Sequence, residues 1–324
     1  MQMKPRVIVT RRWPAKVEAL LAERFDAVLN DDDVPLTPAD FATAFRTYDA
    51  ILPTVSDRLP ASVFPSEDCR TRLLANFGVG FSHIDVAAAR DRGIAVTNTP
   101  GVLTDCTADI AMSLLLLVAR RVGEGERQLR AGAWKGWCPT HLIGTRVSGK
   151  KLGIIGMGRI GKAMASRAHF GFGMDVVFYN RSKVEDDETR SMSARQLPSI
   201  EAVLAESDFV SLHCPGGAEN KHLIDEARLS SMKPTAFLIN TARGDVIDET
   251  ALVHALDRGT IAGAGLDVYA EEPAVPGGLL ARENVVLLPH LGSATTETRE
   301  AMGMKALENL IAFFDGKPAP DRVV

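Results

Sequence analysis

Short apolar segments alternate with amphipathic segments along most of the 324-residue chain. In the first hundred residues the apolar segments predict five strands, and segments with a 3.6-residue period predict three helices between them. The predicted strands are Arg6–Thr10, Asp26–Leu29, Ala50–Pro53, Leu73–Ala75 and Ala95–Thr97. The predicted helices are centred on Ala15–Arg24, Pro38–Phe45 and Val86–Asp91. Strands that alternate with helices are typical of α/β architecture with parallel sheets.

The same alternation continues in the second half of the chain, after a long apolar helix. We expect that helix from Thr104 to about Arg121, a second one over Glu124–Ala133, and then the segment Trp134–Trp137. Six further strands are predicted: Leu152–Ile155, Asp175–Tyr179, Phe209–His213, Ala236–Asn240, Gly263–Val268 and Val285–Leu288. A last helix, from about Thr295 to Phe314, follows the sixth of these strands and can cross back to the first half.

A glycine-rich turn joins the strand Leu152–Ile155 to the helix after it. The turn reads Gly156-Met157-Gly158-Arg159-Ile160-Gly161, and the strand Asp175–Tyr179 completes a βαβ unit of the expected length. In such a turn the first glycine makes the bend, the second lets the backbone approach a pyrophosphate, and the third lets helix pack on strand. N–H groups at the helix start then bind the diphosphate. We therefore predict a Rossmann dinucleotide-binding domain, with a purely structural glycine turn as the alternative.

No such motif opens the first helix of the five-stranded half. That half resembles a flavodoxin-like domain, and we do not expect it to bind the dinucleotide.

The residues after Asp175–Tyr179 bear on which nicotinamide cofactor is bound. NAD-specific sites usually place an acidic residue there, which accepts hydrogen bonds from the ribose 2′-hydroxyl. This chain has Asn180-Arg181-Ser182-Lys183 instead, and these cations and the serine hydroxyl suit a 2′-phosphate. The segment favours NADP(H), with NAD(H) also possible. The alternative is a solvated polar turn whose cations offset the acidic residues 185–188.

Composition and charge exclude several classes of protein. A net charge of −4, 46% hydrophobic and 24% charged residues describe a soluble protein, without the basic runs of a nucleic-acid binder. The longest apolar segment, Ile110–Ala119, is too short to span a bilayer and predicts a buried helix. The N-terminus lacks the apolar core of a signal peptide, and the four cysteines have neither metal-binding nor disulfide-framework spacing. We expect a cytoplasmic protein with no metal, nucleic-acid or membrane partner.

Three polar residues follow successive predicted strands of the dinucleotide domain. Arg243 follows Asn240, Glu272 follows the segment Asp267-Val268, and His290 follows Pro289. Ligands of such domains bind beyond the carboxyl ends of the strands. A histidine can exchange the proton of a carbonyl or alcohol oxygen, a neighbouring carboxylate favours its charged form, and an arginine suits a carboxylate substrate. Taken singly, they also fit a capping histidine, a surface acid and a salt-bridge arginine.

Four segments together resemble the D-isomer-specific 2-hydroxyacid dehydrogenases. They are Gly156–Gly161, Asn240–Gly244, Leu266–Pro273 and Pro289–Ala294. The resemblance covers nearly the whole chain and implies that Arg243, Glu272 and His290 form the catalytic set. It also implies two α/β domains: a discontinuous substrate-binding domain of residues 1–101 and 293–324, and an NAD(P)-binding Rossmann domain of residues 102–292.

The resemblance implies further contacts. In Asn76-Phe77-Gly78-Val79-Gly80, the backbone N–H groups around Val79 and Gly80 would bind the substrate carboxylate, together with Arg243 and His290; the alternative is a plain glycine turn. The implied cofactor contacts beyond the glycine turn and residues 180–183 are Thr107, Pro215, Thr241, Asp267 and Gly292.

Within the family, the chain is most similar to glyoxylate and hydroxypyruvate reductases. Residues 134–137 are similar to an arm that crosses a homodimer interface, so that Trp137 would approach the partner's substrate; packing of both tryptophans at the domain hinge is the alternative. The chain departs from the family at Gly216–Asn220, which replaces a Leu-Thr-Pro-like loop, and at Ser82, where relatives often have Asp.

The resulting prediction is an NADPH-preferring reductase of small 2-oxo acids. The nicotinamide would deliver hydride to C2 while His290 protonates the oxygen. A 3-phosphoglycerate or D-lactate dehydrogenase, and a dinucleotide-sensing co-repressor, are the alternatives.

Overall fold

The structure of the protein is a computed structural model, which describes residues 4–324. The chain divides into two compact units. The first unit runs to Leu103 and resumes at Ala294–Val324, and the second comprises Thr104–Ser293. Each unit contains one parallel sheet, which confirms the predicted α/β class. That the first unit binds substrate stays a prediction.

The first unit is built on a five-stranded parallel sheet. Its strands are β1 (Arg6–Val9), β2 (Asp26–Val28), β3 (Ala50–Leu52), β4 (Leu73–Ala75) and β5 (Ala95–Thr97). Its helices are α1 (Ala15–Arg24), α2 (Pro38–Thr47), α3 (Val86–Asp91) and, from the end of the chain, α12 (Thr296–Phe314). The strand order β2-β1-β3-β4-β5 is the flavodoxin-like order that the sequence predicted.

Local signals explain where these elements begin and how α12 joins the unit. Thr37 and Asp40 form a reciprocal capping box at the start of α2. Gly303 of α12 lies against α1, since a Cβ there would be 2.8 Å from the side chain of Val17. The last helix thus packs within the first unit, where its buried Leu310 adds to the same core as the sheet.

The second unit is built on a seven-stranded parallel sheet. Its strands are β6 (Lys151–Ile155), β7 (Asp175–Tyr179), β8 (Arg195–Gln196), β9 (Phe209–Leu212), β10 (Phe237–Asn240), β11 (Gly263–Leu266) and β12 (Val285–Leu287). Its helices are α4 (Thr104–Ala119), α5 (Val122–Arg130), α6 (Arg159–Ser166), α7 (Asp187–Ser191), α8 (Ile200–Glu206), α9 (Glu226–Ser230), α10 (Glu249–Asp257) and α11 (Gly277–Leu280). A π-helical segment, Arg167–Gly171, continues α6.

The strand order β12-β11-β10-β9-β6-β7-β8 contains the Rossmann arrangement, with one strand added after the usual six. The sequence predicted six strands here, and that count was wrong. The strand absent from the sequence-based prediction is β8, at the edge of the sheet opposite β12. It consists of two polar residues and therefore shows no apolar pattern in the sequence.

The apolar α4 packs against the second sheet, as predicted for a buried helix. Ala111, Leu114 and Leu115 are fully buried, and Gly265 of β11 allows close approach because a Cβ there would lie 2.9 Å from Leu114. Among residues 4–324, no helix has both the length and the apolar character needed to cross a membrane.

Candidate active site

Three neighbouring strands of the second sheet end in loops that carry the predicted catalytic residues. β10, β11 and β12 are parallel and in register, so their carboxyl ends lie at one edge of the sheet. Arg243 follows β10, Glu272 lies in the loop after β11, and His290 follows β12. The sheet topology thus places all three at the edge where Rossmann domains bind ligands.

His290 and Glu272 form a hydrogen-bonded pair. His290 Nδ1 lies 2.8 Å from Glu272 Oε2, while Glu272 Oε1 accepts a hydrogen bond from the Tyr269 N–H at 3.0 Å. Within residues 4–324, the second ring nitrogen of His290, Nε2, has no hydrogen-bond partner. The carboxylate therefore orients the imidazole and leaves Nε2 available for a substrate oxygen.

The surroundings of Glu272 favour its charged form. Burial alone would raise its pKa, but the hydrogen bond and charge of His290, the Tyr269 N–H and the charge of Arg243 together hold the pKa of Glu272 below its ordinary value. The Glu272 carboxylate is therefore suited to accept a hydrogen bond from His290 Nδ1 in its charged form.

Arg243 is a partly buried cation without a carboxylate partner. Its Nη1 donates to the Ala242 carbonyl at 2.7 Å, and within residues 4–324 it forms no ion pair. Burial lowers the pKa of the Arg243 guanidinium, whereas the charges of Glu272 and Asp245 act in the opposite direction. The structure therefore contradicts the alternative in which Arg243 serves as a salt-bridge partner, and leaves its positive charge for an anion.

A buried aspartate holds the backbone that follows His290. The two carboxylate oxygens of Asp267 accept the N–H groups of Leu291 at 2.6 Å and Gly292 at 2.8 Å, while Thr107 Oγ1 donates to the Gly292 carbonyl at 3.0 Å. His290 itself has a positive φ of 55°, which most residues avoid. Asp267, Thr107 and Gly292 thus contact one another and fix the backbone of the histidine loop. Their contact with the cofactor stays a prediction.

The role of Asp267 in the histidine loop was missed at the level of sequence. Its only sequence signal is a polar residue at the end of a buried strand, because its acceptor groups bind a segment 24 residues later. Burial raises the pKa of Asp267, and the two backbone N–H groups and the His290 charge oppose that rise.

The glycine turn between β6 and α6 fits a dinucleotide. Gly156 has a φ of 95°, so the backbone of the turn requires a glycine there. A Cβ at Gly161 would lie 2.3 Å from the Gly156 carbonyl oxygen, so close packing requires the second glycine. Gly158 has an ordinary φ of −82°, and a Cβ there would meet nothing within 4 Å. Neither backbone strain nor packing requires a glycine here, and the open space beside it would admit a ligand close to the backbone. Since Arg159 and Ile160 begin α6, its first N–H groups lack intrahelical acceptors and suit a pyrophosphate.

Two other predicted cofactor residues lie on neighbouring loops of the same sheet. Thr241 directly follows β10, and its buried hydroxyl has no hydrogen-bond partner among the described residues. Such an unpaired buried hydroxyl is unfavourable and fits a bound polar ligand. Pro215 lies in the loop after β9, where its carbonyl accepts the Asn220 side chain.

The loop Asn180–Lys183 is ordered by the edge strand that the sequence missed. Gln196 of β8 donates to the carbonyls of Asn180 at 3.1 Å and Ser182 at 3.0 Å, and Asn180 Nδ2 donates to Ser182 Oγ at 3.0 Å. Lys183 pairs with Glu185 at 2.5 Å, as the polar-turn alternative required, whereas Arg181 pairs instead with the distant Glu219 at 2.8 Å.

In the first unit, the loop of residues 76–80 presents two unpaired N–H groups. The side chain of Asn76 donates to the carbonyls of Gly78 at 3.0 Å and Gly80 at 3.1 Å, and Asn98 donates to the Val79 carbonyl at 2.8 Å. The backbone N–H groups of Val79 and Gly80, in contrast, donate to no acceptor within residues 4–324. Adjacent free N–H groups are a common means of binding an anion.

Comparison with known proteins agrees with this geometry. Residues 112–292 match the NAD-binding domain of the D-isomer-specific 2-hydroxyacid dehydrogenases. The chain belongs to this family. It is 46% identical to a glyoxylate reductase of Korarchaeum cryptofilum over 99% of this chain and 96% of that one. It is 45% identical to a glyoxylate reductase of Pyrococcus horikoshii, again over 99% and 96%.

A solved structure extends the likeness to three dimensions. The NADPH-dependent glyoxylate/hydroxypyruvate reductase of Sinorhizobium meliloti, in complex with NADP and malonate, superposes with a TM-score of 0.87. It is 36% identical and covers 99% of this chain and 97% of its own. This D-2-hydroxyacid dehydrogenase family member is therefore an NAD(P)-dependent oxidoreductase, and its second unit contains the dinucleotide-binding domain.

An exposed apolar surface lies on the second unit of this dehydrogenase. None of the residues of α5 is buried, and Leu129 is 61% exposed. In the segment that follows, Trp134 is 50% and Trp137 82% exposed. Trp137 is therefore not packed within its own unit.

Proposed function

We propose that the protein is an NADPH-preferring reductase that converts small 2-oxo acids, glyoxylate and hydroxypyruvate, to 2-hydroxy acids. The observation that carries the proposal is the hydrogen bond between His290 Nδ1 and Glu272, beside the unpaired cation of Arg243. The names of the similar archaeal and bacterial proteins support the choice of substrates.

The proposed catalytic roles follow from these contacts. His290, oriented through Nδ1, donates a proton from Nε2 to the carbonyl oxygen of the oxo acid during reduction. Glu272 keeps the imidazole oriented through its hydrogen bond to Nδ1. Arg243 binds the anionic substrate and polarises its carbonyl. When bound, the nicotinamide supplies the hydride equivalent that reduces the carbonyl carbon.

A second set of donors is proposed for the substrate carboxylate. The free N–H groups of Val79 and Gly80 suit a carboxylate, because the side chains of Asn76 and Asn98 hold the neighbouring carbonyls. Since these donors are backbone groups, the substrate specificity they confer is for the carboxylate and not for the rest of the acid.

The proposed cofactor site combines the glycine turn with residues 180–183. Gly156, Gly158 and Gly161, with the N–H groups of Arg159 and Ile160, would hold the pyrophosphate. Arg181, Ser182 and Lys183 would bind the 2′-phosphate, which favours NADPH over NADH.

Steady-state kinetics test the proposal. We expect turnover of glyoxylate and hydroxypyruvate with a higher kcat/KM for NADPH than for NADH, and His290→Ala should lower kcat at least about 100-fold. Arg181→Ala should raise the KM for NADPH more than that for NADH. Turnover by His290→Ala at the wild-type rate would overturn the assignment of the catalytic acid.

We also propose that the protein is a homodimer in which Trp137 approaches the substrate of the partner subunit. The exposed apolar residues of α5 and of the segment after it support this proposal, since such residues are typical of protein interfaces. Sedimentation should give twice the monomer mass of 34.9 kDa. Trp137→Ala should raise the KM for the oxo acid, and a monomer with unchanged KM would contradict both statements.

A further inference from the structure

Arg181 is already engaged by a carboxylate of the same unit. Its Nη1 donates to Glu219 Oε2 at 2.8 Å, and the two residues are 38 positions apart in the chain. Glu219 belongs to the segment Gly216–Asn220, which lies beyond the carboxyl end of β9. Since both side chains are largely exposed, the pair can open when a better partner for Arg181 arrives.

Both loops that carry this ion pair are held in place. Gln196 supports the backbone of residues 180–184, where its Oε1 also accepts the Val184 N–H at 2.9 Å. On the other side, Asp245 accepts the Gly217 N–H at 2.9 Å, and Asn220 Nδ2 donates to the Pro215 carbonyl at 2.9 Å. The pair therefore joins two loops whose backbones are anchored.

A 2′-phosphate and the Glu219 carboxylate require the same guanidinium. A phosphate that binds Arg181 must displace the carboxylate or share the cation with it, and the two anions repel each other. A ribose 2′-hydroxyl is uncharged and meets no such repulsion. Glu219 therefore weakens the binding of a phosphorylated dinucleotide more than that of an unphosphorylated one.

We propose that Glu219 is a specificity-determining residue that limits the preference of this enzyme for NADPH by competing with the 2′-phosphate for Arg181. The inference rests on the proposed role of Arg181 in cofactor selection. It predicts that the chain binds NADPH less tightly than its cationic loop allows, while NADH binding is little affected.

Calorimetric titration of the protein without substrate tests this inference directly. Glu219→Gln should tighten the binding of NADPH and of 2′,5′-ADP about two- to fivefold, the effect of freeing one end of an exposed ion pair. NADH and 5′-AMP should change less than about twofold. Low ionic strength should be used throughout, because salt screens exposed charges.

A charge-matched control separates the local effect from the change in net charge. Glu226→Gln removes another exposed carboxylate, which pairs with Arg258 at 2.9 Å in the same unit, and it should leave all four affinities unchanged. In an Arg181→Ala background, Glu219→Gln should lose most of its effect on NADPH.

The outcomes distinguish failure of this inference from failure of the proposed function. If Arg181→Ala weakens NADPH selectively but Glu219→Gln has no effect, or weakens NADPH, the competition is refuted and the cofactor preference stands. If Arg181→Ala affects NADPH and NADH equally, Arg181 does not bind the phosphate and both proposals fail.

Discussion

The hydrogen bond between His290 and Glu272 should be visible in the pH dependence of the reaction. Glu272→Gln keeps the size of the side chain and removes its charge. The Tyr269 N–H still needs an oxygen acceptor, so the amide oxygen of the new glutamine faces Tyr269. The NH2 group of the glutamine then faces His290 Nδ1. That arrangement suits a neutral imidazole, so the protonated form that reduction needs becomes less populated.

The size of the effect follows from the distance and the exposure of the pair. At 2.8 Å two unit charges interact by about 6 kcal/mol at an effective dielectric of ~20 and by about 1.5 kcal/mol in water. The side chains are 28% and 35% exposed, so solvent screening brings the value close to the lower limit. About 1.5 kcal/mol corresponds to roughly a tenfold change in rate.

The assay is kcat/KM for glyoxylate reduction with NADPH between pH 5 and 9. We expect the alkaline limb of the Glu272→Gln profile to lie at a lower pH than that of the wild-type enzyme, with a loss of rate at neutral pH of about tenfold. Glu283→Gln, which removes an exposed carboxylate paired with Arg127, is the charge-matched control and should leave the limb in place.

The titration of Glu272 itself does not complicate this range. Its folded-state pKa lies below the ordinary value of 4.5, so its carboxylate stays ionised above pH 5. The stability that it contributes is complete above that ordinary value and is lost only as the pH falls through the lower folded-state pKa. A uniform loss of rate with an unmoved alkaline limb would refute the reasoning and leave Glu272 with a purely structural role.

Three further substitutions test other parts of the structure. Asp267→Asn should leave one backbone N–H of the histidine loop without an acceptor, which costs about 2 kcal/mol of stability and lowers kcat; an unchanged melting temperature and kcat would contradict this. Gly161→Ala should place its Cβ against the Gly156 carbonyl and weaken NADPH binding in a calorimetric titration at least about tenfold, and wild-type affinity would contradict this. Asn76→Asp should lose the two hydrogen bonds to the carbonyls of the 76–80 loop and raise the KM for glyoxylate, with the KM for NADPH unchanged; equal changes in both KM values would argue for a general loss of structure.

Local patterns in the sequence sufficed for the two α/β units and most of their strands. Strands β4, β5 and β7 have the predicted bounds, since a buried parallel strand is a short apolar run bounded by polar residues. The glycine turn was equally readable, because its chemistry lies in six consecutive residues. The order of Arg243, Glu272 and His290 after three strands also predicted that they share one edge of the sheet, since parallel strands end on the same side.

Contacts between distant residues were decided only by the tertiary structure. Strand β8 has no apolar pattern of its own and exists because β7 offers it an edge to pair with. The Asp267 contacts, the Gln196 contacts to residues 180–184 and the ion pair of Arg181 with Glu219 join residues 12 to 38 positions apart. Polar side chains at such separations carry no periodic signal, and their partners are chosen by the geometry of the folded loops. The sequence by itself thus determined the fold class and the chemistry available at the sheet edge, while the tertiary structure determined which charges are paired there and which remain free for a ligand.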